Sequence, residues 1–265
     1  MWQTAAMGAV VGVTVYLGLP AARLRARAGT QSFLTSLALG TLLFAAWDVL
    51  SRGLSIIETA LHNAMTSGHW QLFWSPAAML ALGLTIGLVG LAGLVSTRSA
   101  APSDTSLRPT YSMRMRPSQL AAIIAAGLGL YNFAEGLAIS QAAAGPAAAA
   151  VSLSGGLASY NIAVGLAIAA PMAFADGRPS WSFLGGTGVI GGGPVLLGTL
   201  AGPILRPQQT MVFFLGLGTG ALFFVIGELF AVSRRFRRPI RSAWGIVIGF
   251  LAAYGVHLAL TIAGV

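Results

Sequence analysis

The 265-residue chain contains no cysteine and no lysine. The first absence excludes disulfides and thiolate-based zinc or iron–sulfur sites. The second makes all fifteen basic residues arginine. Acid is scarcer still, with six Asp and Glu. Charged residues make up 8% of the chain, against about 25% in soluble domains. That deficit excludes an ordinary soluble fold and points to an integral membrane protein. Alternating segments of about ten residues, which a membrane β-barrel needs, are also missing. So are a nucleophile–base constellation, a P-loop and a redox pair, and no enzyme activity is expected.

What is present is apolar: 56% of residues are hydrophobic and the mean hydropathy is +0.80. The runs are long enough to cross a bilayer as helices. Eight spans are predicted, at about 4–20, 31–51, 75–96, 118–142, 147–174, 182–203, 209–232 and 243–264. They make an all-α, polytopic, single transmembrane domain over 1–265. The first run has no basic segment before it and no clear cleavage site, so it is read as a retained helix.

Arginine sorts the loops. Arg23, Arg25 and Arg27 fall in the first, and Arg98, Arg108, Arg114 and Arg116 in the third. Arg178 falls in the fifth, and Arg234, Arg235, Arg237, Arg238 and Arg241 in the seventh. The even loops hold Arg52 and Arg206 alone. Positive charge stays on the cytoplasmic side, so the odd loops are expected inside and both termini outside, in a plasma membrane (the inner membrane of a bacterium). The basic charge thus reads as a lipid-bilayer signal and not as a nucleic-acid surface. The cytoplasmic loop 97–117 reads as flexible from its Ser, Thr, Pro and Arg content, or as a membrane-surface segment through Met113, Arg114, Met115 and Arg116. Beyond the second span, Arg52 to Met65 extends its helical pattern, with Glu58 and His62 at i,i+4 on one face.

One phrase occurs twice. Tyr131-Asn132-Phe133-Ala134-Glu135-Gly136-Leu137-Ala138-Ile139 returns as Tyr160-Asn161-Ile162-Ala163-Val164-Gly165-Leu166-Ala167-Ile168, with seven of nine positions identical. The copies lie on consecutive spans. Polar groups at membrane depth are costly and mark a site by default. Glu135 stands one turn from Tyr131 and Asn132, so the three share a helical face. Tyr160 and Asn161 supply the matching face, with Val164 in place of the acid. Carboxylate and carbonyl oxygens suit a hard or borderline divalent cation; the bland alternative is a protonated Glu135 that hydrogen-bonds across helices.

Two further acids lie within spans. Asp48, beside Trp47, is an interfacial anchor or a carboxylate on the outer approach. Glu228 either pairs with Arg234 and Arg235 or lines an exit. His62 and His69 lie outside, and His257 is expected to hydrogen-bond within the bundle. Gly185, Gly186, Gly188 and Gly191-Gly192-Gly193-Pro194 crowd the sixth span, which reads as tight packing with a kink, or as a broken helix lining a path.

The paired phrase resembles the signature of the ZIP family of divalent-metal transporters, in which the fourth span carries His-Asn-x-Pro-Glu-Gly and the fifth a related motif. The tails Gly136-Leu137-Ala138-Ile139 and Gly165-Leu166-Ala167-Ile168-Ala169-Ala170-Pro171 are similar too. The resemblance implies eight spans with outward termini, a binuclear metal site between spans four and five, and movement of one helix bundle against another. It places ligand-capable residues at Asn132, Glu135 and Asn161. Tyr131 and Tyr160 stand where the family has its first His or an equivalent. Val164 replaces the second motif's Glu, Ala134 and Ala163 replace the prolines, and Gly193 stands where many members carry a further Glu. Glu228 is similar to the acid of the seventh span.

The leading expectation is inward transport of a divalent metal ion through a reduced site. Glu135 is its main ligand, Asn132 and Asn161 add carbonyl oxygens, and Tyr131 and Tyr160 shape the cavity. Asp48, Glu58 and His62 lie on the outer approach and Glu228 on the exit side. The metal is cargo, and no permanently bound cofactor is expected. The alternative is a changed cargo (a proton, a monovalent cation or a small polar organic solute), or a membrane sensor that moves nothing. Close small-residue packing permits a homodimer.

Overall fold

A computed structural model describes residues 2–98, 115–205 and 207–262. Most of the loop read over 97–117, with Asp104, Arg108 and Arg114, lies outside the described residues, as does Arg206. The described chain is all-helical. Eight helices are long and apolar enough to cross a membrane: α1 (Trp2–Arg23), α2 (Ala28–Ser67), α3 (Gln71–Ser96), α4 (Pro117–Ala142), α5 (Ala147–Phe174), α6 (Trp181–Ala201), α7 (Gln208–Arg235) and α8 (Pro239–Ile262). Eight such helices make a multi-pass membrane protein.

Burial grades them. The most apolar stretch of α4 is 78% buried inside the protein and that of α8 only 17%, so α4 is the central helix and α8 a lipid-facing one. α4 packs most extensively on α6, then on α7 and α5. α7 packs on α3 and α2, while α8 lies along α2 and α1 lies against α6 and α5.

These interfaces are built from glycine because hydrocarbon gives helices no hydrophobic reason to associate; close backbone approach supplies the contact instead. A Cβ on Gly136 of α4 would lie 2.8 Å from the Thr199 nitrogen and 2.9 Å from the Gly198 Cα of α6. A Cβ on Gly165 of α5 would lie 2.9 Å from the Gly18 Cα of α1. Both glycines belong to the repeated phrase. The sixth span is not broken: α6 runs as helix through Gly191 to Pro194. Pro194 has no N–H for the Ile190 carbonyl, and that oxygen lies against Gly129 of α4.

The arginine-rich loops converge at one end. Arg23 donates to the Pro179 carbonyl and lies 4.6 Å over the Trp181 ring. Arg235 lies 4.0 Å over Phe174. Slightly deeper, Ser32, Ser242, Ser233 and Ser36 join α2, α7 and α8 in a chain of hydroxyl contacts of 2.9–3.0 Å. Such interhelical hydrogen bonds fasten helices where water cannot compete.

α2 carries through the helical extension read over Arg52 to Met65. It is one continuous helix of 40 residues, about 60 Å long, and Arg52 lies inside it and not in a loop. Gly68, with φ 76°, ends it in the left-handed conformation that favours glycine.

Overpacking a tight interface costs about 1–3 kcal/mol. Gly136→Ala and Gly165→Ala should each lower stability by that amount. Gly185→Ala and Gly186→Ala, where an added Cβ meets nothing within 4 Å, should be neutral or mildly stabilising. Thermal unfolding in detergent, followed by circular dichroism, checks this; equal losses at the two pairs would contradict the packing account.

Candidate functional site

The two copies of the phrase do the same structural work on different neighbours. Asn132 Nδ2 donates to the Gly191 carbonyl of α6 at 2.7 Å. Asn161 Nδ2 donates to the Val11 carbonyl of α1 at 2.9 Å. One turn further along, Gly136 and Gly165 seat the backbones of those same helices. Each copy is therefore an amide that grips a neighbouring carbonyl, followed by a glycine that lets the neighbour come close. α1 and α6 themselves meet where Gly12 lies against Gly192, so both asparagines serve one α1–α6 pair.

Glu135 serves a different partner. It is 1% exposed, and its Oε1 accepts from Arg52 Nη2 of α2 at 2.5 Å. The same nitrogen lies 3.2 Å from Asp48 Oδ2, one turn back on α2. Arg52 Nε reaches the Asp48 carbonyl at 3.4 Å. One guanidinium thus stands between two carboxylates, at the place where the sequence suggests a metal ion. The reason is elementary: an isolated carboxylate in low dielectric is costly, and a tethered cation with a planar fork of donors offsets that cost.

Tyr131 is buried behind Glu135, with its Cα against Gly218 of α7. Tyr160 is also buried, and its hydroxyl donates to the Ala253 carbonyl of α8 at 3.4 Å. Val164 sits wholly within the apolar core. Gly193 has only Val189 of its own helix within 4 Å of a built Cβ, so that position faces away from the bundle. Glu58 and His62 are exposed on the far part of α2, two to three turns beyond Arg52, and stand apart from the site. Glu228 is buried in α7, two turns before Arg235. Among the described residues, no group of three His, Asp or Glu side chains is arranged to hold a metal ion.

A cavity of about 490 Å³ lies above the ion pair, between α2, α5 and α8. Ala149 and Ser152 near the start of α5, and Leu260 and Thr261 near the end of α8, form its rim. It opens at the end of the bundle opposite the arginine-rich loops. Its floor is aromatic. Phe44 meets Tyr160, Tyr254 and His257 with ring centroids 5.8, 6.0 and 5.7 Å apart. His257 Nδ1 lies 3.8 Å from Asp48 Oδ1, so the histidine turns to the cavity carboxylate. A second hollow of about 350 Å³, lined by Ser140, Gln141 and Gln208 among others, carries no charged group among the described residues.

Sequence reasoning missed Arg52, Phe44, Tyr254 and the cavity role of His257. The signal for Arg52 was present: Asp48 and Arg52 are an i,i+4 pair of opposite charge, as a continuing helix favours.

No protein-family model matches the chain, and no curated protein matches it significantly. The likeness to the ZIP signature therefore rests on the paired phrase and the number of spans.

Removing one member of a buried pair leaves the other uncompensated, while replacing both with apolar groups is often neutral. Arg52→Met should therefore destabilise the bundle by on the order of 3 kcal/mol, and Arg52→Met with Glu135→Met should recover most of that loss. Unfolding of the two variants in detergent decides it. A double variant as weak as the single one would mean that the pair does not carry the stability assigned to it.

Proposed function

We propose that this protein is a membrane transporter on a ZIP-like bundle whose cargo is a small polar organic solute and not a divalent metal ion. The observation that supports this reading is the Arg52 guanidinium between Glu135 and Asp48. A dication arriving at Glu135 has to displace a cation that is covalently tethered and already hydrogen-bonded. The two asparagines that would complete a metal shell are each held by the amide nitrogen on a carbonyl of α6 or α1. The phrase docks helices through its asparagines and glycines and gives its one carboxylate to an arginine.

The cavity supports the changed cargo. Pockets for small organic ligands fall at about 300–1,000 Å³ and combine apolar walls with a few placed polar groups. The one above Arg52 has that size and an aromatic wall, with Asp48 and His257 facing it. In this reading the termini and the cavity mouth face outward and the arginine-rich loops face the cytoplasm, in a plasma membrane. The solute descends to the ion pair, and rearrangement of that pair opens the inner half toward Glu228. Glycine interfaces between α1, α6 and α4 are the surfaces on which one group of helices moves against the other.

Proteoliposomes test it. Influx of zinc, cadmium, manganese and iron(II) should equal that of empty liposomes. A panel of labelled organic solutes (an amine, a zwitterionic amino acid, a carboxylate and a neutral sugar) should show uptake of one class. Metal influx abolished by Glu135→Gln would overturn the proposal in favour of a reduced metal path. Uptake of nothing by folded protein would overturn transport itself.

A further inference from the structure

The charge and hydrogen-bond balance of the cavity names a ligand class. We infer that it binds a small organic ammonium ion, with Asp48 as the counter-charge and the rings of Trp47 and Tyr254 against the apolar part of the ligand. This deepens the changed-cargo reading and rests on it for passage across the membrane, but not for binding.

Charge comes first. The ion-pair site holds two carboxylates, Asp48 and Glu135, and one guanidinium, Arg52. With His257 counted neutral, one negative charge is left over. It does not reside on Glu135, which is sealed at 1% exposure and directly bonded to Arg52. Asp48 shares that same Arg52 nitrogen at the longer 3.2 Å, retains 15% exposure and lines the cavity. The uncompensated charge therefore faces the ligand space.

Donors and acceptors agree with it. Three of the five hydroxyls on the wall have already spent their protons on backbone carbonyls: Ser51 on Asp48, Thr261 on His257, and Tyr160 on Ala253. What they offer a ligand is oxygen lone pairs. Arg52 has committed Nε and Nη2 to Asp48 and Glu135. Arg52 lines the cavity with 27% of its side chain exposed, but its remaining nitrogen, Nη1, is shut off from the surface, so a carboxylate could pair with it only by competing with Asp48 and Glu135. An anion would meet a site whose carboxylates outnumber its guanidinium. An ammonium, with N–H donors and positive charge, meets acceptors and a carboxylate.

The aromatic wall adds the rest. Trp47 is 62% exposed and Tyr254 47%, so ring surface stays available at the cavity, while Phe44 holds Tyr254 and His257 in edge or tilted contact. A cation over such rings gains about 0.5–2 kcal/mol from the ring quadrupole, and a bilayer setting strengthens the attraction by thinning the water around it.

Phenethylammonium and its isosteres provide the test, on purified full-length protein in nanodiscs. Labelled phenethylamine should bind saturably, and phenylpropionate and 2-phenylethanol, which match its shape without its charge, should not compete. Asp48→Asn should weaken binding at least tenfold. Trp47→Ala, a change at an exposed ring that leaves the core intact, should weaken it several-fold with unchanged melting temperature. Equal competition by phenylpropionate, unaltered affinity in Asp48→Asn, or no saturable binding up to millimolar amine would each overturn the inference. Saturable binding without uptake into proteoliposomes would overturn the transport reading and leave this site standing.

Discussion

One ion pair sets the terms for the molecule. A carboxylate buried in the centre of α4 demands compensation, and Arg52 supplies it from α2 across 83 positions of chain. The pairing explains why α2 passes through a position that looks like the end of a span. An arginine is tolerated there because its charge is answered by Glu135 and Asp48, and so the helix does not need to stop. It also joins the central helix to the wall of the cavity between α2, α5 and α8. Whatever disturbs Asp48 is felt at Glu135 through a single nitrogen.

The repeated phrase looks different once its neighbours are known. Polar residues at membrane depth invite a reading as ligands, and two of them, Asn132 and Asn161, act as fasteners through their amide nitrogens. Each donates to a carbonyl on another helix and is followed by a glycine that seats the same helix. Duplication then has a structural meaning that does not require metal. The same clamp is used twice, once to hold α6 on α4 and once to hold α1 on α5. Of the two positions that differ between the copies, Phe133 against Ile162 stays apolar, and Glu135 against Val164 leaves the clamp and takes part in the charged site.

The sequence made the architecture plain and the chemistry only partly so. Eight apolar runs gave eight helices, since length and hydropathy alone decide whether a helix can span. Glu135 was also evident as the charged residue with most to explain. Arg52 was misplaced among the loops because hydropathy treats every arginine as a terminus, and the partner that makes it tolerable is far away in sequence. Tyr254, and the place of His257 at the cavity, were missed for a related reason. They lie on α8, whose exposure to lipid makes its residues look like simple membrane-facing surface, and only the packing of α8 along α2 turns them toward Asp48. Gly193, placed by resemblance at a metal position, faces away because the helical phase of α6 puts Gly191 and Gly192 against α4 and α1.

The length of α2 has a mechanical consequence. Its 40 residues form a rod of about 60 Å, twice the roughly 30 Å thickness of the hydrocarbon core. The part beyond Arg52 is some fifteen residues, or about 22 Å. Pivoting the rod at the ion pair by roughly 10° would carry its tip sideways by about 4 Å, on the same geometry. The helix is a lever with its fulcrum at the buried charge and its shorter arm carrying Glu58 and His62, so force applied to that arm arrives at the guanidinium as torque.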